Sequence, residues 1–380
     1  AGSGKSIVLI AKMLKFMELE EPGKRILYVT FNKTLRDDAE KRLKKSPKYK
    51  ELSKRHILHL NTFHYTAYVL LQELGFEDVQ NFNTAPKRLE QQESLLRTKV
   101  QIIKERFEQT SKAKELPKLF KTHTPKFLLE EFFWMKANGY VDKETYLTKE
   151  RTGRGSSTPL NKNQRETVYA LFEQYNDFLK NEMHNYMDIE DYALKLLGVI
   201  NQLPPHLCYD AIFVDEVQDL QPMQIKVLAQ LAQKMLVLTG DPKQRIYKRT
   251  PHSYVALGVN IQGRRNKILR ENFRSTKQIM NFAGCLKFED LDKERDEREI
   301  FKRDGSKPKV LNFPEFKKAI NYIEKKADTL FRKHEGESIR IAVIHRQDDL
   351  IQRRIPIPAE QELARRFSLL SAEQYHHLDI

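Results

Sequence analysis

Two stretches of this sequence carry residue types that could do chemistry together. The first is Ala1-Gly2-Ser3-Gly4-Lys5-Ser6. It matches the end of a phosphate-binding loop, in which a glycine and four free residues precede Gly-Lys-Ser/Thr and the backbone N–H groups curl around a triphosphate. Gly2 and Gly4 supply the backbone freedom such a curl requires. Lys5 is expected to reach the β- and γ-phosphates and the Ser6 hydroxyl to ligate magnesium. The apolar run Ile7 to Leu19 begins a helix whose N-terminus faces the anion. The pattern's first glycine, and the strand that feeds the loop, fall before residue 1, so the chain is expected to be an internal piece of a longer one. The second stretch is Asp215-Glu216-Val217-Gln218-Asp219, at the tip of the apolar run Tyr209 to Val214. Side chains alternate along a strand, so two adjacent carboxylates must both sit at a sheet's rim. Asp215 is expected to hold magnesium opposite Ser6, and Glu216 to orient and deprotonate an attacking water. A flexible Gly/Ser terminus would explain the first stretch by itself, but it leaves the paired acids unexplained.

The elements that must position these groups read as α/β. Arg25 to Thr30 and Ile57 to Leu60 are short apolar runs with strand character. Each closes on a polar and aromatic segment, Phe31-Asn32 and Asn61-Thr62-Phe63-His64. Ligands gather at the carboxyl ends of strands in open sheets. Phe31 and Phe63 are therefore candidates to stack on bases, with Asn32, Thr62 and His64 near a nucleic acid backbone; ordinary core packing is the plain alternative for each ring. From Tyr65 to about Lys180 the pattern is helical. Val168, Leu171, Phe172, Tyr175, Phe178 and Leu179 form a buried stripe, and Phe132-Phe133-Trp134 is read as core. Arg151 and Arg154, in a Gly/Ser loop, either touch phosphates or are simply solvated.

The α/β signal resumes with Tyr209 to Val214, a helix from Met223 to Gln233, and a strand from Met235 to Thr239. That strand ends in Gly240-Asp241-Pro242-Lys243-Gln244-Arg245-Ile246-Tyr247. Gln244 is read as a γ-phosphate sensor and Tyr247 as a base-stacking ring. Further on, a strand ends in Glu271-Asn272-Phe273-Arg274-Ser275-Thr276. Ser275 or Thr276 is placed to cap the next helix, and Arg274 is a candidate arginine finger. A strand at Lys309 to Phe313, a helix from Phe316 to Phe331 and a strand at Ile339 to Arg346 suggest a second α/β unit.

Composition narrows the partners. Lysine and arginine exceed aspartate and glutamate by 67 to 52, giving a formal charge of +15 across 380 residues. Such a surface gains affinity for polyanions by releasing their counterions. No apolar run approaches the roughly 18 residues of a membrane span. Two cysteines, Cys208 and Cys285, make neither a disulfide framework nor a metal pattern, which suits a reducing cytoplasm.

Taken in order, these motifs resemble those of superfamily 1 helicases of the UvrD/Rep class, from residue 1 to about residue 347. AGSGKS resembles motif I, Thr30 to Arg36 motif Ia, and Thr62-Phe63-His64 the TFH of motif Ib. Asp188-Ile189-Glu190-Asp191-Tyr192 resembles the segment where such chains re-enter the first motor domain. Asp215 to Asp219 stands for DEAQD with Val217 changed, Gly240 to Tyr247 resembles motif III, and Glu271 to Thr276 resembles motif IV with Phe273 for tyrosine. The resemblance implies a RecA-like P-loop NTPase domain over residues 1–64 and 185–262, a helical insertion over 65–184, part of a second RecA-like domain over 263–350, and a tail over 351–380. It also implies ATP and Mg2+ as cofactors, single-stranded DNA and single-strand/duplex junctions as partners, and 3′ to 5′ translocation with unwinding. Motifs V and VI are not found. A nucleotide- and DNA-binding module without motor activity, and the motor half of a helicase-nuclease fusion, are the readings that compete with a complete motor.

Overall fold

The computed structural model describes residues 4–76, 79, 86–152, 154, 159–241, 253–261, 265–285 and 300–334. The chain divides into two compact units, residues 1–305 and 306–380.

The first unit opens with helix α1 (Lys5–Leu19), strand β1 (Arg25–Thr30), helices α2 (Lys33–Lys44) and α3 (Pro47–Leu52), strand β2 (Ile57–Thr62) and helix α4 (Phe63–Glu73). A run of helices follows: α5 (Pro86–Glu108), α6 (Ser111–Glu115), α7 (Pro125–Asn138), α8 (Lys143–Thr148) and α9 (Lys162–Asn181). Next come α10 (Asp191–Val199), β3 (Tyr209–Val214), α11 (Pro222–Leu231) and β4 (Ala232–Leu238). A two-stranded pair, β5 (Glu271–Asn272) and β6 (Ile300–Phe301), brackets helix α12 (Lys277–Ala283).

The main sheet has the order β2-β1-β3-β4 and every pairing is parallel. Parallel sheets of this kind are covered on both faces, which is why β1 and β3 read as unbroken apolar runs rather than alternating ones. The period of two still decides which side chain goes where. Ile26, Tyr28, Ala211 and Phe213 pack with Leu9, Met13, Phe16 and Met17 of α1 and with residues of α2 and α3. Leu27, Val29, Ile212 and Val214 face the opposite way, onto α4, α10 and α11. Each fully buried side chain of this size contributes on the order of 1.5–3 kcal/mol, so the two cores together hold the strands parallel. All four carboxyl ends then share one edge. β4 begins at Ala232 rather than at the expected Met235, because α11 stops at Leu231 and Ala232 turns extended while its N–H still donates to Leu228.

The helical insertion has a core of its own, built from α5, α7, α8 and α9. Phe132 packs on Phe172 and Tyr175 with ring centroids 5.6 and 5.1 Å apart. The expected stripe on α9 is buried from Val168 to Leu179, and a reciprocal capping box between Asn161 and Gln164 starts that helix. Trp134 is core, its indole N–H donating to Thr152 O at 3.0 Å. Arg151 and Arg154 are neither solvated nor offered to a ligand. Both bind the fully buried carboxylate of Glu131, Arg151 at 2.7 Å and Arg154 at 2.8 Å, and the Tyr146 hydroxyl donates to it as well. Burial opposes the charge on Glu131, but the two guanidiniums overcome it and hold its pKa below the usual value.

A second buried charge cluster joins the insertion to the sheet. Lys136 of α7 donates to Asp188 and to Asp191, each at 2.7 Å, and the Tyr175 hydroxyl donates to Asp188 at 2.9 Å. Nearby, Gly139 ends α7 in the left-handed region at φ 72°, and a Cβ there would lie 2.9 Å from Met223 Sδ of α11. Burial works against the ammonium of Lys136, yet its two carboxylates raise its pKa. Two acids share one lysine, and the imbalance falls on Asp191, which burial and then Asp188 push up to about 6.

In the second unit, α13 (Phe316–Lys333) is the described helix, with Ile320 buried and Phe313 against Tyr322 at 5.4 Å. The strand expected over Lys309 to Phe313 does not form. Val310 and Leu311 are exposed and no strand pairs with them among the described residues. The expected neighbour, Ile339 to Arg346, lies outside those residues.

The charge cluster yields two measurements. Lys136→Met leaves Asp188 buried without its cation and is expected to cost about 3–5 kcal/mol in urea unfolding. Asp191→Asn leaves one lysine with one acid. Because the folded pKa of Asp191 lies near 6, above an unfolded value of about 3.9, its contribution to stability is full below pH 4 and is lost as pH rises through 6. The stability of Asp191→Asn relative to the parent should therefore improve between pH 4 and pH 7, and an unchanged difference would contradict the imbalance.

Candidate active site

The site is built on the shared carboxyl edge, and its centre is the tip of β3. Asp215 continues the strand, its N–H donating to Val29 O at 2.9 Å. Its side chain is nearly buried and accepts three hydrogen bonds. Tyr28 donates to Oδ2 at 3.1 Å, Thr239 to Oδ1 at 2.8 Å, and the Glu216 N–H to Oδ1 at 3.1 Å. All three donors are neutral, and no cation pairs with Asp215 among the described residues. Sequence reasoning missed Tyr28 and Thr239. Tyr28 sits opposite Phe213 in the β1–β3 register, so its ring passes under the strand tip. Burial, then the negative charge of Asp215, raise the Tyr28 pKa and keep it a proton donor.

Glu216 breaks the strand. It adopts φ 50°, ψ 48° in the left-handed region, where a non-glycine residue is strained. This conformation starts a short 3-10 turn over Val217–Asp219. Gln218 holds the result, its amide nitrogen donating to Glu216 Oε2 at 2.8 Å while its amide oxygen accepts from the Asp241 N–H at 2.9 Å. Val217 N–H donates to Thr239 O at 2.8 Å, so the tips of β3 and β4 are tied together. Gly240 must be glycine here, because a Cβ would lie 2.5 Å from Gln218 Oε1 and 2.9 Å from Val217.

The phosphate-loop residues come to the same edge. Gly4 takes φ 78°, ψ 19° just before α1, and nothing lies within 4 Å of where its Cβ would be. Among the described residues no side chain caps α1 and its first turn holds no acid, so no described side chain opposes its N–H groups and positive dipole end. Ser6 lies in that first turn, half-buried. Lys5 reaches across to Asp241 at the tip of β4, Nζ to Oδ2 at 3.6 Å. No cluster of three or more His, Cys, Asp or Glu side chains could hold a metal among the described residues. A magnesium ion at Asp215 and Ser6 would therefore need phosphate oxygens to complete its shell, as is usual for this ion. A carboxylate without a cation partner and a helix N-terminus without a side-chain cap, both among the described residues, fit a magnesium-bound nucleotide together with one hydroxyl and one lysine.

Other expected residues are placed differently. Asn32 spends its side chain capping α2, accepting from Leu35 N–H at 2.9 Å, and Thr62 caps α4. Phe63 and His64 are each 2 % exposed and line the core rather than the edge, His64 Nε2 lying 3.2 Å from Ile189 O. The reason is local: α4 starts directly at Phe63, so no loop separates strand from helix and its first turn packs inward. The exposed ring on that turn is Tyr65, beside Tyr68 at 6.2 Å. Phe31 is half-buried at the end of β1. Arg274 is exposed, its backbone N–H bound to Asn272 Oδ1 at 3.1 Å, and Thr276 caps α12. No contact joins Arg274 to Lys5, Asp215 or Glu216 among the described residues. Ala1, Gly2, Ser3, Gln244 and Tyr247 lie outside them.

Comparison with known proteins identifies the family. The model of the UvrD/REP helicase N-terminal domain matches residues 1–249. The chain is similar to the putative ATP-dependent DNA helicase YjcD of Bacillus subtilis, 27 % identical over 298 residues, or 75 % of this chain and 35 % of that protein. It is also similar to a probable DNA helicase II homolog of Mycoplasma capricolum, 30 % identical over 151 residues, 38 % of this chain and 20 % of the relative. One component of an ATP-dependent helicase/nuclease from Enterococcus faecalis is 29 % identical over 195 residues, 46 % of this chain and 15 % of its own length. The chain thus spans about a third or less of the length of these relatives. On the match over residues 1–249, the chain belongs to the UvrD/REP helicase family.

Proposed function

We propose that this chain is the nucleotide-hydrolysing part of a DNA helicase that moves 3′ to 5′ on single-stranded DNA and unwinds duplex. The observation that carries the reading is the charge at Asp215. Three neutral donors fix its carboxylate at the edge where Lys5 arrives, and none of them cancels its negative charge.

Each residue then has a role set by its chemistry. Lys5 supplies a point charge to the phosphates, and the N–H groups at the start of α1 bind the rest of the anion. Ser6 and Asp215 are the residues that would hold magnesium. A magnesium ion held there would supply positive charge to the phosphates. Glu216, strained out of the strand and held by Gln218, orients a water and takes its proton. Arg274 and Gln244 are proposed to act on the γ-phosphate as finger and sensor. The strand of DNA is proposed to lie along the same carboxyl edge, with Phe31 and Tyr65 as stacking rings. The charge of +15 supports a nucleic acid partner.

ATP turnover with and without single-stranded DNA tests the reading. Turnover stimulated by DNA is expected, and Glu216→Gln should lower it by about 10²- to 10⁴-fold while nucleotide still binds. A Lys5→Ala protein that hydrolyses ATP at the parent rate would remove the proposal. Displacement of a labelled strand from duplexes with a 3′ or a 5′ tail decides polarity, and preference for the 5′ tail would overturn that part.

A further inference from the structure

Asp241 and Gln218 form a closed circuit between the lysine of the phosphate loop and the proposed base. The Asp241 carboxylate pairs with Lys5 at 3.6 Å, both side chains 17 % exposed. Its own backbone N–H donates to Gln218 Oε1 at 2.9 Å, and the other end of that amide donates to Glu216 Oε2 at 2.8 Å. The connection is stiff. Gln218 is buried, Gly240 leaves no room for a Cβ beside it, and Val217 N–H is bonded to Thr239 O.

We infer that Asp241 is an internal competitor for nucleotide phosphate at Lys5, and that Gln218 transmits the outcome of that competition to Glu216. The inference rests on the proposed nucleotide site and goes further, naming two positioning residues and the route between them. A phosphate group and the Asp241 carboxylate are both anions seeking one ammonium. When phosphate takes Lys5, Asp241 loses that partner, and its backbone N–H is the group that anchors Gln218. A shift of the β4 tip is then felt at Glu216 through a single side chain, because an amide can bridge two groups only at one separation. Binding of nucleotide and alignment of the base are coupled by this geometry.

The two residues separate in their effects. Equilibrium titration with a fluorescent, non-hydrolysable ATP analogue and magnesium should give about twofold to fivefold tighter binding for Asp241→Asn, the range an ion pair of modest exposure accounts for. A merely structural role for Asp241 could only weaken binding. Asp241→Ala, checked for an unchanged unfolding midpoint, should tighten it as well. Gln218→Ala and Gln218→Glu both remove the donor to Glu216, so both should lower kcat for ATP at least tenfold while analogue affinity stays within twofold. Unchanged or weaker analogue binding by both Asp241 variants, or kcat and affinity falling together in the Gln218 variants, would overturn the inference. A parent protein that binds no analogue would remove the nucleotide site and this inference with it; a parent whose binding is abolished by Lys5→Ala, but whose Asp241 variants bind no tighter, would remove the inference alone.

Discussion

A carboxylate at the end of a buried strand, bonded among the described residues to neutral donors alone, is the constraint on which the rest of this structure depends. Asp215 could have been neutralised by a lysine or arginine, as Glu131 and Asp188 are elsewhere in the chain. Instead a phenol, a hydroxyl and a backbone amide orient it, and among the described residues no cation compensates its charge. Burying such a charge is costly, and the cost is tolerable at a sheet edge where a cation can approach. The parallel sheet exists to present that edge. Its two cores fix β1, β3 and β4 side by side, so that Tyr28 and Thr239 come from neighbouring strands to the same carboxylate.

Strain and ion pairing at the edge are linked. Glu216 in the left-handed region is unfavourable by itself, and a residue so placed persists only when its surroundings over-determine it. Gln218 and the bonds between the β3 and β4 tips supply that determination. The same bonds reach Lys5 through Asp241. An edge built this way has few independent parts, which is a sensible property for a site proposed to change its contacts once per nucleotide.

The helical insertion follows a different logic. It has an aromatic core of its own, and where it meets α10 and α11 it combines the close approach of Gly139 to Met223 with a buried ion-pair cluster of Lys136, Asp188 and Asp191. The segment that carries these two acids also touches the first turn of α4, where His64 meets Ile189 O, and the start of α11, where Gln221 meets Glu190. Buried ion pairs add little net stability but tolerate only one arrangement of their members. The junction therefore specifies the insertion's position more than it strengthens the fold.

Much of this was legible beforehand. Hydrophobic runs bounded by polar residues identified β1, β3 and β4, the period of 3.6 identified α9 and α13, and adjacent acids after an apolar run had to stand at a strand tip. These features are local, because they depend on backbone period and on where charge can be solvated. The sequence was silent on contacts between elements far apart in the chain. Nothing in the spacing of Tyr28, Thr239 and Asp215 indicates that three strands bring them together, since that follows from strand order and register. Phe63 and His64 turned inward because the helix starts without a loop, a matter of packing against α10. Sequence alone determined the α/β class and the residues able to bear charge at its rim; tertiary structure alone decided which partner each charge has, because long-range pairing depends on how the two faces of the sheet are filled.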